Sequence, residues 1–230
     1  LNLSGNAQNI NTFFQAFAAG TAYNKLKVHR TKLPPPPKHY GEMLKHPHKA
    51  GFQAALEKEY IDLVRKGTFE AVPKSETNGE PLIPTMEVFT YKFDEEGYLL
   101  RYKARIVVRG DLEPRSSYED NYAATLAAKV FRALIAIAAY FDLEMKQLDA
   151  VNAFCNAQLH KPVFVRYPEG FGVPGMALKL LKALYGLRIA PLLWFTHLAV
   201  SLERLGLSPI GDTPCVFANN DLIVFFYVDD

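Results

Sequence analysis

The stretch Val88-Phe89-Thr90-Tyr91-Lys92-Phe93-Asp94-Glu95-Glu96-Gly97-Tyr98-Leu99-Leu100-Arg101-Tyr102-Lys103-Ala104-Arg105-Ile106-Val107-Val108 decides the fold class. Two strand-like runs, Val88 to Phe93 and Leu99 to Val108, flank Asp94-Glu95-Glu96-Gly97, whose composition is that of a hairpin turn. Upstream, Phe52, Ala55, Leu56, Leu63 and Val64 recur at helical spacing between His48 and Lys66, and Gly67 supplies a stop. Phe69 to Val72 reads as a short strand. Downstream, the spacing predicts a helix over Ala127 to Tyr140, with Val130, Leu134, Ile137 and Ala138 on one side. Glu144 to Leu148 reads as a short strand ending at Asp149, Val151 to Leu159 as helical, and Val163 to Tyr167 as extended. Pro191 to Leu205 predicts a second amphipathic helix, with proline in its first turn and Gly206 after its end. Cys215 to Ala218 and Leu222 to Val228 flank Asn219-Asn220, a two-residue hairpin turn. Helices and hairpins interleave without a βαβ rhythm, so the class is α+β with a mainly antiparallel sheet.

Working outward, Pro34-Pro35-Pro36-Pro37 favours stiff polyproline II and reads as a spacer. Residues 1–47 are then an N-terminal tail and linker, and residues 48–230 the folded domain. The 230 residues are 49% hydrophobic and 13% aromatic, which excludes disorder as the main state. Twenty-six Lys and Arg against 24 Asp and Glu leave a net charge of +2, so any polyanion site must come from local clustering. No apolar run approaches the roughly 18 residues of a membrane span, and the start lacks a secretory signal. Two cysteines, Cys155 and Cys215, make neither a disulfide framework nor a zinc site. An intracellular, non-secreted protein without a membrane partner is expected. The chain starts at Leu1 and stops at Asp229-Asp230 directly after an apolar strand, which reads as a fragment of something longer.

Three features carry chemistry. Tyr227-Val228-Asp229-Asp230 sets two adjacent carboxylates at the end of an apolar run; alone, it reads equally as a turn or as a cation site. Gln147-Leu148-Asp149-Ala150-Val151 sets a further carboxylate at a predicted strand end. Two-metal phosphoryl transfer needs hard oxygen ligands from separate elements converging on ions roughly 3.5–4 Å apart, and these acids would meet that need. Third, Arg101, Lys103, Arg105 and Arg109 fall on one face at period two, with Tyr102, Ala104, Ile106 and Val108 on the other. A solvated basic face is common; four cations backed by an apolar face suit a triphosphate or a template backbone.

These residues carry a resemblance to copia-type retrotransposon reverse transcriptases. Arg101 to Gly110 resembles their "YKARLVARG" segment, and Gln147 to Phe154 is similar to "MDVKTAFL". Tyr167 to Phe171 and Leu181 to Pro191 resemble "QPEGF" and "LKKSLYGLKQAPR", and Tyr227 to Asp230 matches "YVDD". The five motifs stand in order across roughly residues 48–230. The resemblance implies right-hand polymerase fingers and palm, truncated before the thumb, copying RNA into DNA with two Mg²⁺ ions (Mn²⁺ as substitute). Asp149, Asp229 and Asp230 land on the catalytic, metal-binding acids, and the Ala150 carbonyl on a further metal ligand beside the nucleotide. Phe154 falls where an aromatic gate excludes the ribose 2′-hydroxyl, although core packing is its ordinary reading.

The same resemblance puts Lys103 and Arg105 in the strand that holds the incoming triphosphate, with Arg101 and Arg109 toward nucleic acid. Tyr185, Gly186 and Arg188 fall in the segment bordering nucleotide and template. The implied partners are an RNA or DNA template with primer, dNTPs, and the other segments of an element polyprotein, integrase and RNase H among them. The implied location is cytoplasmic, in a virus-like particle, or nuclear. The alternative is a truncated, catalytically inactive remnant that at most binds nucleic acid. Two departures stand out. Residues 123–131 are shorter than the usual "TFSPVVKMTTIR" stretch, and Gly110-Asp111-Leu112-Glu113 replaces the common "GFxQ", adding acids beside the basic strand. His46-Pro47-His48 reads as a helix entry rather than a metal site.

Overall fold

The computed structural model describes residues 28–114 and 122–227. Its described residues divide into two compact units, one holding residues 28–61 together with Glu87–Ile106, the other Asp62–Met86 and the described residues from Val107 onward. Elements run in the order α1 (Tyr40–Lys45), α2 (Lys49–Arg65), β1 (Phe69–Pro73), β2 (Thr85–Phe93), β3 (Leu99–Val108) and α3 (Ala128–Tyr140). They continue with β4 (Gln158–Val165), β5 (Met176–Lys182), α4 (Ala190–Arg204), β6 (Ser208–Ile210), β7 (Thr213–Ala218) and β8 (Ile223–Phe225). Mixed helices and antiparallel pairings make the class α+β, as the sequence implies.

In the first unit, β2 and β3 form the expected hairpin. Its turn closes because Asp94 Oδ1 accepts the Tyr98 N–H and Gly97 takes a positive φ of 87°. Phe52 on α2 is fully buried, with the rings of Phe89, Tyr91 and Tyr102 at 5.5, 5.0 and 5.0 Å. His46 caps the end of α1, and its Nδ1 accepts the His48 N–H ahead of α2, which is the helix-entry role expected of it. Pro37 and Met43 are buried, so part of the segment read as a spacer contributes to this core.

The second unit holds two three-stranded sheets, ordered β1-β5-β4 and β6-β7-β8. β5 and the β1-β5 pairing (Phe69 opposite Leu180) escape the sequence reading. β4 takes up Val163 to Val165 of the extended stretch and the end of the helix expected over Val151 to Leu159; of that helix only a 3₁₀ turn, Ala153–Asn156, forms. Pro162, which has no N–H to offer a ladder, falls within the register shift of β4 against β5. The strand expected over Glu144 to Leu148 does not form: residues 143–150 have no regular structure, and no strand pairs with them among the described residues. A lone extended segment leaves its backbone groups to water and has no ladder to fix it. The β7–β8 loop spans four residues rather than two, because Asn219 Oδ1 takes up the N–H groups of Asp221 and Leu222.

α4 buries Ala190, Trp194 and Leu202. By contrast α3, more apolar in sequence, buries no side chain fully and exposes Phe131 and Ile137. Val130 and Leu134 pack partly against a cluster built on Leu202, Val216, Phe217 and Phe226. Both cysteines are free thiols and 1% exposed; burial pushes the Cys215 thiol up. No helix among the described residues is long and apolar enough to cross a membrane.

Candidate active site

Two chain segments of the second unit carry most of the residues singled out by sequence. Asn152 enters the left-handed region at φ 51°, a conformation asparagine tolerates, and turns the chain into Ala153–Asn156. The Asn156 side-chain amide donates to the carbonyls of Asn152 (3.2 Å) and Ala153 (3.0 Å), which closes the turn. Phe154 is thereby buried, and its ring meets that of Tyr185 edge to face, centroids 4.6 Å apart at 68°. The fold thus joins the two motif segments that sequence places apart.

The Tyr185–Arg188 turn is held from several sides. Its Tyr185 carbonyl accepts the Val108 N–H at 2.7 Å. Gly186 has φ 92°, and a Cβ built there would stand 2.0 Å from the Val108 carbonyl oxygen; one on Gly110 would stand 2.0 Å from the Gly186 oxygen. Only glycine fits where two backbones cross this closely. Arg188 Nε donates to the Gly110 carbonyl at 2.8 Å, and its own backbone N–H donates to Glu113 Oε2 at 2.9 Å.

Asp149 is exposed and Ala150 half-buried, both in the irregular stretch before the turn. Lys66 Nζ donates to the Val151 carbonyl at 2.7 Å and tethers this segment, while Lys182 Nζ donates to the Lys66 carbonyl. Asp229 and Asp230 lie outside the described residues. Among the described residues no three His, Cys, Asp or Glu side chains gather as a metal site. What Asp149 and Ala150 offer, a solvent-facing carboxylate and an adjacent carbonyl, is the hard-oxygen chemistry that Mg²⁺ takes.

In the first unit, β3 alternates as expected: Ala104 and Ile106 are buried while Arg101 and Arg105 are exposed. Lys103 is half-buried. Burial first, then the nearby charges of Arg105, Lys92 and Arg101, lower its pKa against an opposing pull from Glu59. Arg109, in the second unit, corrects the sequence reading: β3 ends at Val108, so Arg109 does not share the strand face. Its guanidinium instead grips Asp111 through two bonds of 2.8 and 2.7 Å, which raises its own pKa and lowers that of the Asp111 carboxyl. Sequence reasoning missed Lys66 and Lys182, for which no local signal exists. Glu113 was visible only as a departure from a motif.

The reverse transcriptase (RNA-dependent DNA polymerase) family profile matches residues 68–230. The chain belongs to the reverse transcriptase family. It is 33% identical over 205 residues, 84% of its length, to the retrovirus-related Pol polyprotein from transposon TNT 1-94 of Nicotiana tabacum, covering 15% of that protein. It is 34% identical over 151 residues, 62% of its length, to the Pol polyprotein from transposon RE1 of Arabidopsis thaliana, covering 10%. The Gag-Pol polyprotein of transposon Ty1-DR4 from Saccharomyces cerevisiae is 25% identical over 181 residues, 76% of this chain and 11% of that protein. These relatives bear out the copia-type resemblance and make this a reverse transcriptase domain. The chain spans only a small part, 10–15%, of their lengths. No solved structure matches it.

Proposed function

We propose that this reverse transcriptase domain supplies the fingers and palm for template-directed addition of dNTPs to a primer 3′-hydroxyl, within a longer intracellular polyprotein. The observation that carries this reading is the Phe154–Tyr185 ring pair, which seats an aromatic wall a few residues after Asp149 and Ala150 and against the Tyr185–Arg188 turn. Asp149, Asp229 and Asp230, with the Ala150 carbonyl, would hold two Mg²⁺ ions. Bound there, Mg²⁺ supplies Lewis-acid activation of the 3′-hydroxyl and neutralises charge on the triphosphate.

The side chains do the rest. Lys103 and Arg105 hold phosphate oxygens, and the half-buried Lys103, whose burial lowers its pKa, carries less hydration than an open lysine. Arg101 and Arg109 face the nucleic-acid backbone, with Arg109 exchanging Asp111 for phosphate. Phe154 excludes a 2′-hydroxyl by clash, and Tyr185, Gly186 and Arg188 border the nucleotide and template. Primer extension on an RNA template with Mg²⁺ tests this. Asp149→Asn should abolish extension while melting as wild type does, because its side chain is exposed. Phe154→Val should admit ribonucleotides. Full extension by Asp149→Asn would overturn the reading.

A further inference from the structure

We infer that Glu113 is a positioning residue: with Arg188 it locks the Tyr185–Arg188 turn onto residues 108–113, and Tyr185 in turn braces the Phe154 ring. The lock rests on geometry alone; its consequence for sugar selection rests on the polymerase reading above.

Glu113 is 4% exposed, an unusual place for a carboxylate. Oε2 accepts the Arg188 backbone N–H, while Oε1 is buried with no partner among the described residues. Leaving a buried oxygen unsatisfied costs stability, so the side chain is held there by what Oε2 secures. From the other direction, the Arg188 side chain returns to the same loop, donating to the carbonyls of Gly110 (2.8 Å) and Asp111 (3.4 Å). Backbone and side chain of one arginine therefore both end on residues 110–113. The crossing of Gly110 and Gly186 leaves no slack between the two segments. Tyr185, one residue before that crossing, is fixed by its carbonyl to Val108 and by its ring to Phe154.

Where the copia-type motif carries glutamine, this chain carries a group that titrates. Burial pushes the Glu113 carboxyl above the usual range, opposed by the Arg188 N–H and charge. The other charged side chains of this loop, Arg109 and Asp111, are engaged with each other. A carboxyl whose folded titration lies above its unfolded one costs stability as pH rises through that window. Glutamine at 113 would keep the acceptor for Arg188 with no charge to bury.

The test uses the chain labelled with 3-fluorotyrosine, the Tyr185 resonance being assigned by Tyr185→Phe and its ring-current shift by Phe154→Leu. Glu113→Gln should keep the wild-type Tyr185 resonance, melt higher than wild type at neutral pH, and lose the part of the decline from acid to neutral pH that Glu113 causes. Glu113→Ala and Arg188→Ala should move the Tyr185 resonance to the position seen in Phe154→Leu. An unmoved resonance in both alanine variants overturns the lock, and a Tyr185 resonance displaced in Glu113→Gln overturns it even if an alanine variant does not fold; an identical pH dependence of melting in wild type and Glu113→Gln overturns only the titration of Glu113. In parallel primer extension, Glu113→Ala should lose preference for dNTPs over ribonucleotides as Phe154→Val does, and Glu113→Gln should not. Wild type that extends no primer even within its longer polyprotein strikes the polymerase reading, while resonance and melting still judge the lock.

Discussion

The segment around Asp149 and the turn around Gly186 carry neighbouring parts of one candidate site, yet they are built in opposite ways. Residues 143–150 have no regular structure and are largely exposed, and the tether just beyond them is one lysine hydrogen bond at Val151. Residues 185–188 are held by Val108, Gly110 and Glu113, with two glycines at van der Waals limit. The aromatic wall is thus organised by the protein alone. The acid segment has little of its own to fix it. Under the function proposed above, selectivity belongs to the pre-organised fold and activity to the assembled complex.

The largest expected effect breaks the rigid side. Gly186→Ala puts a Cβ against the Val108 carbonyl at a φ of 92°, and should cost roughly 3 kcal/mol or more in chemical denaturation. Next comes the tether. Lys66→Met should lower stability by about 1 kcal/mol or less, since the bond is partly solvated, yet slow primer extension more than that loss accounts for. Lys66→Arg should recover the rate; equal losses in rate and stability would show that the tether does not position Asp149. The smallest effect concerns the edge of the clamp. Asp111→Asn releases the Arg109 guanidinium and should tighten binding of a labelled oligonucleotide by less than about threefold, with the gain vanishing at high salt. Anisotropy titrations at two ionic strengths measure it.

What was legible in the sequence follows the range of the interaction that decides it. The β2–β3 hairpin and α2 were readable because period two, Gly97, and the spacing of Phe52, Leu56 and Leu63 are local signals. The strand expected before Asp149 failed because a strand needs a partner, and nothing in Glu144 to Leu148 names one. β5 escaped because Met176-Ala177-Leu178-Lys179-Leu180-Leu181-Lys182 holds no β-branched or aromatic residue, and its pairing with β1 joins positions some hundred residues apart. At the site, motif order gave Phe154 and Tyr185 separately, but their ring contact is a product of the fold. The grip of Arg188 on Gly110 and the Lys66 tether join residues 78 and 85 positions apart, a separation at which sequence pattern carries no signal. Arg109 looked like one more strand cation until the strand was seen to stop at Val108.

The two buried thiols give this molecule built-in clocks. Cys155 sits inside the turn that seats Phe154, and Cys215 lies in the cluster under α4, its Sγ 3.4 Å from the Ala124 carbonyl. A sealed thiol is alkylated only when its surroundings open, so the labelling rate at each cysteine reports the opening free energy of its own neighbourhood. A mass spectrometer following the two additions separately would time the loosening of the aromatic wall against that of the α4 cluster in the unmodified sequence. Adding Mg²⁺, primer–template or dNTP in turn would then show which of them is felt at which depth of the protein.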